Sequence, residues 1–249
     1  MLQASGVPDL VVFFGHHKCG SRYFRFSVMH AFAQANGYGF LGYRIQQPPF
    51  HFRSCQDLDL HNIDFQSLKR PGPLVLGLSN AGEAVVKRLQ QTGRPYRGVR
   101  VLRDPRQLLV SNYFYHLVGH NIEFKGWVWD ALIETRARLR SLDLEQGLLY
   151  ELDHITADIM DTQILPWRTD WAVVEFKLET FNRELVDNMH TLARHCGFTD
   201  IPRIDVGNTT ANPVTRHWRD VLTDRIKDVF KRRYGDWLIN AGYAEDDQW

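Results

Sequence analysis

The chain has 249 residues, 44% of them hydrophobic and 12% aromatic, with seven Trp; this is enough apolar surface for a packed core and excludes a disordered chain. Lys and Arg number 30 against 29 Asp and Glu, so the net charge is +1 with no basic run. That balance excludes a duplex nucleic-acid reader or a binder of anionic membranes, and it leaves only local anion sites.

The first strand candidate, Leu10–Phe14, is far shorter than the roughly 20 apolar residues of a membrane span, and no secretory leader pattern precedes it. It breaks into the small, basic turn Gly15-His16-His17-Lys18-Cys19-Gly20 before a helix predicted over Ser21–Asn36. A helix N-terminus exposes unpaired N–H groups and the positive end of its dipole, so this junction is a phosphate cradle, with the charges of His16 and His17 expected to assist. The spacing is Gly-x-x-Lys-x-Gly-Ser. A Walker A loop places its lysine after the second glycine, which argues against an ordinary ATP or GTP donor.

Further strands are predicted at Gly39–Tyr43, Leu74–Leu78, Arg97–Leu102 and Trp171–Phe176. Helices are predicted over Gly82–Gln91, Pro105–Leu117, Trp127–Leu142, Glu145–Thr162, Glu179–Cys196 and Arg219–Ala241. Such alternation defines an α/β fold: three layers, a mainly parallel central sheet with helices on both faces. The stretch from Ile45 to Pro73 lacks periodicity and reads as a long loop, and no linker divides the chain, so residues 1–249 are expected to form one domain. Arg136, Arg138 and Arg140 alternate along one helix and read as a solvated face, and Trp218 as core.

Arg103-Asp104-Pro105-Arg106 is a second strand-to-helix switch, with Asp104 suited to the N-cap and Pro105 to the first helical position. Ligands of open α/β sheets collect at the carboxyl ends of strands. Arg103 stands at such an end and Ser111 two turns into the following helix, so a guanidinium and a hydroxyl are offered to one anion. Cys19, Cys55 and Cys196 are odd in number and far apart, which fits reduced thiols in a cytoplasmic protein and gives no metal-ligand spacing.

These segments carry a family resemblance. Lys18-Cys19-Gly20-Ser21-Arg22-Tyr23 resembles the Lys-Ser-Gly-Thr-Thr-Trp loop of sulfotransferases that use PAPS, 3′-phosphoadenosine 5′-phosphosulfate. Arg103-Asp104-Pro105 with Ser111 resembles their 3′-phosphate motif, Lys177-Leu178-Glu179-Thr180-Phe181 their Tyr/Phe-Glu-Asp-Leu turn, and Trp218-Arg219-Asp220-Val221-Leu222-Thr223 their Trp-Arg-x-x-Leu/Phe-Thr segment. The order agrees from about Leu10 to Tyr243, within a P-loop-like nucleotide-binding fold.

The resemblance implies that Lys18 contacts the sulfuryl group and bridging oxygen of PAPS. It implies that the amides of Cys19, Gly20, Ser21 and Arg22, with the Ser21 hydroxyl, hold the 5′-phosphate. Tyr23 would stack on adenine, Arg103 and Ser111 would hold the 3′-phosphate, and Arg216 would stand in for an Arg-Lys-Gly run that residues 208–213 lack.

Leu76-Gly77-Leu78-Ser79-Asn80 carries no counterpart of the histidine base found after the third strand in small-molecule members. His51, His61, Glu83 and His116 are candidates for that base, His61 first among them. The acceptor is expected to be a hydroxyl, less readily an amine, of a small molecule or carbohydrate, and the product adenosine 3′,5′-bisphosphate. Two other readings stay open: a P-loop kinase-like ATP-dependent transferase, and a catalytically inactive PAPS-binding interaction module.

Overall fold

A computed structural model of the chain describes residues 9–46, 57–59, 72–124, 127–167, 172–204 and 216–249. They form two compact units, each built from segments distant in sequence. The first takes the described residues up to Leu102 together with those from Thr162 to Ile204; the second takes Arg103 to Asp161 and Arg216 to Trp249.

The first unit is built on strands β1 (Leu10–Gly15), β2 (Gly39–Gln46), β3 (Asp57–Asp59), β4 (Leu74–Ser79), β5 (Arg97–Leu102) and β8 (Val173–Lys177). Their order is β3-β2-β4-β1-β5-β8 and every pairing is parallel. Alternate side chains of a strand point to opposite faces, and β1 feeds two cores in this way. Val11 and Phe13 join Phe24, Val28, Met29 and Phe32 of the first helical run and Met189, Leu192 and Cys196 of α9 (Leu185–Cys196). Leu10, Val12 and Phe14 meet Val85, Val86 and Leu89 of α3 (Glu83–Gln91) on the other face. The result is the expected three-layer α/β fold, with a sheet that is parallel throughout.

The strands match the expected ranges closely, while the helices are more broken than their periodicity suggests. The run after β1 is α1 (Ser21–Tyr23), a π-helical stretch (Phe24–Met29) and α2 (His30–Ala35). The segment expected as one helix over Glu179–Cys196 divides into α8 (Leu178–Phe181) and α9, and part of the region read as a long loop contributes β3.

In the second unit, α4 (Pro105–Phe114) continues as π-helical turns over Tyr115–Gly119. Trp127 and Val128, expected to begin the next helix, instead form β7 (Trp127–Val128), antiparallel to β6 (Glu123–Phe124), with α5 (Asp130–Arg140) following. Then come α6 (Leu144–Glu151), α7 (Ala157–Ile159) between π-helical stretches, and finally α10 (Asp224–Asn240). The last helix starts five residues later than expected, because Trp218–Asp220 makes a separate 3₁₀ turn. Arg138 and Arg140 are solvated as expected, but Arg136 donates from Nε to the His116 carbonyl at 2.8 Å and from Nη2 to the His120 carbonyl at 2.6 Å, closing the π turns.

All ten residues of α4 are buried, four of them polar: Arg106, Gln107, Ser111 and Asn112. Burying a polar group is costly unless it is paired. Arg106 forms a bidentate pair with Asp104, Gln107 bonds to two backbone groups, and Asn112 donates to Thr156 Oγ1 at 3.1 Å.

Candidate functional site

β1 ends at Gly15, and its register with β4 and β5 sets Gly15 beside Ser79 and Val101. The chain therefore leaves three adjacent parallel strands at one sheet edge. Gly15 is required there: a Cβ would lie 2.6 Å from the Leu78 carbonyl oxygen and 2.9 Å from Ser21 Cβ. Gly15→Ala is expected to cost about 1–3 kcal/mol through overpacking, read as a lower urea midpoint; an unchanged midpoint would show that the turn can give way.

Lys18 has φ 56° and Gly20 φ 75°, both left-handed. Glycine adopts that region freely, but a lysine there costs about 1–2 kcal/mol. The other non-glycine residue with positive φ among those described is Asn80, φ 57°, just past the end of β4. Strain of this kind persists where the surroundings over-determine it, and it gathers at ligand sites. The Cys19 N–H donates to the His16 carbonyl at 3.3 Å, and α1 begins after Gly20 with no side-chain cap. Uncapped N–H groups at a helix start, with a lysine in the turn just before it, make an anion cradle.

His16 anchors this turn. Its Nδ1 lies 2.8 Å from the Ala81 carbonyl oxygen, the Ala81 N–H donates to the Gly15 carbonyl at 2.9 Å, and the ring packs edge-on against Trp167. The side chain is fully buried, and that burial, with the Arg100 cation adding to it, pushes its pKa down to about 3. His16 is therefore neutral at physiological pH and donates from Nδ1. This corrects the expectation that its charge assists anion binding. The His17 N–H donates to Gln163 Oε1 at 3.1 Å, a second anchor that sequence reasoning missed because the two residues are 146 apart.

The remaining loop residues have definite places. Cys19 is buried, a turn residue whose thiol is enclosed, and Arg22 is exposed. The Ser21 hydroxyl donates to the His16 carbonyl rather than pointing free for a phosphate. Tyr23 is half-buried and donates to Asn182 Oδ1 at 3.1 Å. A Cβ on Gly20 would lie 2.8 Å from Leu178 Cδ1, and Phe24 meets Phe181 with ring centroids 4.5 Å apart. Two motifs more than 150 residues apart thus pack against each other within one unit.

Arg103, Ser111 and Arg216 belong to the second unit. Asp104 caps α4, accepting from the Arg106 N–H at 2.9 Å, and Pro105 takes the first helical position, as its local sequence dictates. The Asp104 carboxylate is gripped by the Arg106 guanidinium, from Nε to Oδ1 and from Nη2 to Oδ2, both at 2.9 Å. That guanidinium lies 4.1 Å from the centroid of the Trp218 ring and 4.5 Å from that of Trp249. Arg106 is thus a structural arginine. Arg103, half-buried, precedes the cap, and the Ser111 hydroxyl, on a residue 5% exposed, makes no hydrogen bond among the described residues.

The candidates for the base are divided. His51 and His61 lie outside the described residues. Glu83 opens α3 and pairs with Lys87 at 2.9 Å. His116 is fully buried, with Nδ1 3.1 and 3.2 Å from the two Glu151 carboxylate oxygens, a pair that ties the end of α4 to α6. Among the described residues no group of three His, Cys, Asp or Glu side chains is placed to hold a metal ion, and no helix is long and apolar enough to cross a membrane.

A parallel three-layer sheet with a lysine turn at its carboxyl edge defines a P-loop-like α/β protein. The particular likeness is to sulfotransferases. Mouse sulfotransferase SULT7A1, solved in complex with PAP, superposes with a TM-score of 0.50 at 13% identity over 95% of this chain and 86% of that one. A sulfotransferase from Alicyclobacillus acidocaldarius gives a TM-score of 0.46 at 14% identity over 93% and 92%. No family model matches the chain, and no curated protein matches it by sequence. At these identities the likeness defines the fold, which is sulfotransferase-like.

Proposed function

We propose that the protein is a sulfotransferase that moves the sulfuryl group of PAPS to a hydroxyl, less readily an amine, of a small-molecule or carbohydrate acceptor. The observation that carries this reading is the strained, glycine-framed turn that sets Lys18 three residues before an uncapped helix start. In the in-line step the acceptor oxygen forms the new bond to sulfur while the bond from sulfur to the bridging oxygen breaks. The electron pair stays on the 5′-phosphate of adenosine 3′,5′-bisphosphate, and the acceptor proton passes to a base, for which His61 is our first candidate. Charge grows on the bridging oxygen in the transition state, and a positioned ammonium stabilises it there more than in the ground state.

Arg103 and Ser111 are assigned the 3′-phosphate, the group that distinguishes PAPS from ATP. The Ser111 hydroxyl, on a residue 5% exposed and making no hydrogen bond among the described residues, supports that assignment. For the 5′-phosphate the donors are the amides at the start of α1; the Ser21 hydroxyl would first leave the His16 carbonyl. Cys19 and Cys196, neither of them in a disulfide, are in keeping with a reducing, cytoplasmic setting.

Thermal denaturation with saturating ligand tests the reading. Adenosine 3′,5′-bisphosphate at about 100 times its Kd is expected to stabilise the fold by about 2.7 kcal/mol, several degrees in Tm, with little shift from ATP and magnesium. Selective stabilisation by ATP would instead favour the kinase-like alternative and overturn the proposal.

A further inference from the structure

The polar residues of α4 divide by what they hold. Gln107, Ser111 and Phe114 fall at positions i, i+4 and i+7, so they share one face of the helix. Gln107 donates from Nε2 to the Arg216 carbonyl at 2.9 Å and accepts at Oε1 from the Trp218 N–H at 3.1 Å. One side-chain amide thus grips the backbone on both sides of His217. Further along the same face, the Arg216 guanidinium carbon lies 5.5 Å from the centroid of the Phe114 ring, within cation–π range. Arg216 is therefore fixed at two points, its carbonyl at Gln107 and its guanidinium at Phe114, and Ser111 lies between those points on the helix.

Gln107 is 9% exposed and Phe114 8%, whereas Arg216 is exposed. An exposed arginine on a long flexible stem ordinarily loses much rotamer freedom on being held. Here Gln107 already holds the Arg216 backbone, and the Phe114 ring takes part of the side-chain freedom away. The neighbouring Ser111 supplies the second, independent sign of a ligand, since the residue is 5% exposed and its hydroxyl makes no hydrogen bond among the described residues.

We propose that Gln107 and Phe114 are positioning residues that hold Arg216 over the Ser111 face, so that guanidinium and hydroxyl together take a terminal phosphate monoester. This rests on the sulfotransferase reading, in which that group is the 3′-phosphate, and it makes nucleotide selectivity a property of the α4 face as well as of Arg103.

The test is calorimetric binding of adenosine 3′,5′-bisphosphate and of adenosine 5′-monophosphate, whose affinity ratio isolates the 3′-phosphate. Gln107→Ala is expected to lower that ratio about tenfold, with binding of the monophosphate unchanged. Arg216→Ala is expected to lower it by a similar factor, and the double variant by no more than either single one, because both changes remove the same contact. Phe114→Leu, which keeps an apolar side chain in the core but removes the ring face, is expected to lower the ratio about threefold and serves if Gln107→Ala does not fold. An unchanged ratio in Gln107→Ala or, where that variant does not fold, in Phe114→Leu overturns the proposal, as do losses that add in the double variant. A wild-type protein with no preference for the bisphosphate would overturn the sulfotransferase reading and this inference together. A preference that survives the α4 substitutions would overturn this inference alone.

Discussion

Lys18→Ala is expected to lower sulfuryl transfer from PAPS by about 10²–10³-fold, the loss typical when one preorganised donor to a developing oxyanion is removed. The rate is followed as release of adenosine 3′,5′-bisphosphate across a broad acceptor panel. Binding of that product should change little, because it lacks the sulfuryl group on which the ammonium acts. The backbone at Lys18 allows a second, independent readout. Its φ of 56° is costly for any residue with a Cβ, so Lys18→Gly is expected to raise folding stability by about 1 kcal/mol while losing activity as Lys18→Ala does. Stability gained where activity is lost would mark the strain as functional. Full activity in Lys18→Ala would sink the mechanism.

The second large effect is on stability against pH. Unfolded, His16 titrates near its ordinary value of about 6.5, and folded it titrates at about 3 because it is buried beside Trp167 with Arg100 nearby. Between those values the unfolded chain binds a proton that the folded chain does not. Stability from this residue is therefore complete above about pH 6.5 and falls as pH drops, by about 1.4 kcal/mol per unit, or about 3 kcal/mol by pH 4.5. Carboxylates add their own acid dependence, so the comparison is with His16→Asn, which carries no titrating group and retains an amide donor for the Ala81 carbonyl. Urea midpoints from pH 7 to 4.5 should fall more steeply for the wild type, by a slope equivalent to about one proton. Parallel slopes would mean that His16 does not fold in the neutral form.

These two residues also show how far the chain could be read before it was folded. The Asp104-Pro105 start of α4 depends on interactions within two residues, and the turn from β1 into α1 is marked by its own glycines and lysine, so the place of both was legible locally, although Ala81 and Gln163 anchor the second. The exchange of strand and helix patterns likewise gave a parallel α/β sheet, because burial on both faces demands nearly continuous apolar strands. His16 was misread for the opposite reason. Its charge state depends on Ala81, Arg100 and Trp167, which come from three other parts of the chain. The π-helical interruptions were equally invisible, since the Arg136 bonds that close one of them come from a separate helix.

Arg103 and Arg106 make the same division within one motif. The spacing to Asp104 allows either arginine to pair with the carboxylate, and only the folded chain puts Arg106 there, within cation–π range of both Trp218 and Trp249. Gln107 carried no signal at all, because a glutamine that bridges two backbone groups more than 100 residues away has no local pattern.

By itself, then, the sequence determined the strand-to-helix turns, the caps and the class of sheet, all of which are set by backbone geometry over short spans. The tertiary structure decided that β1 lies between β4 and β5, which arginine is structural, that His16 is neutral, and that Arg216 is held at two points. Each of these depends on burial and on partners that are neighbours only in the folded chain.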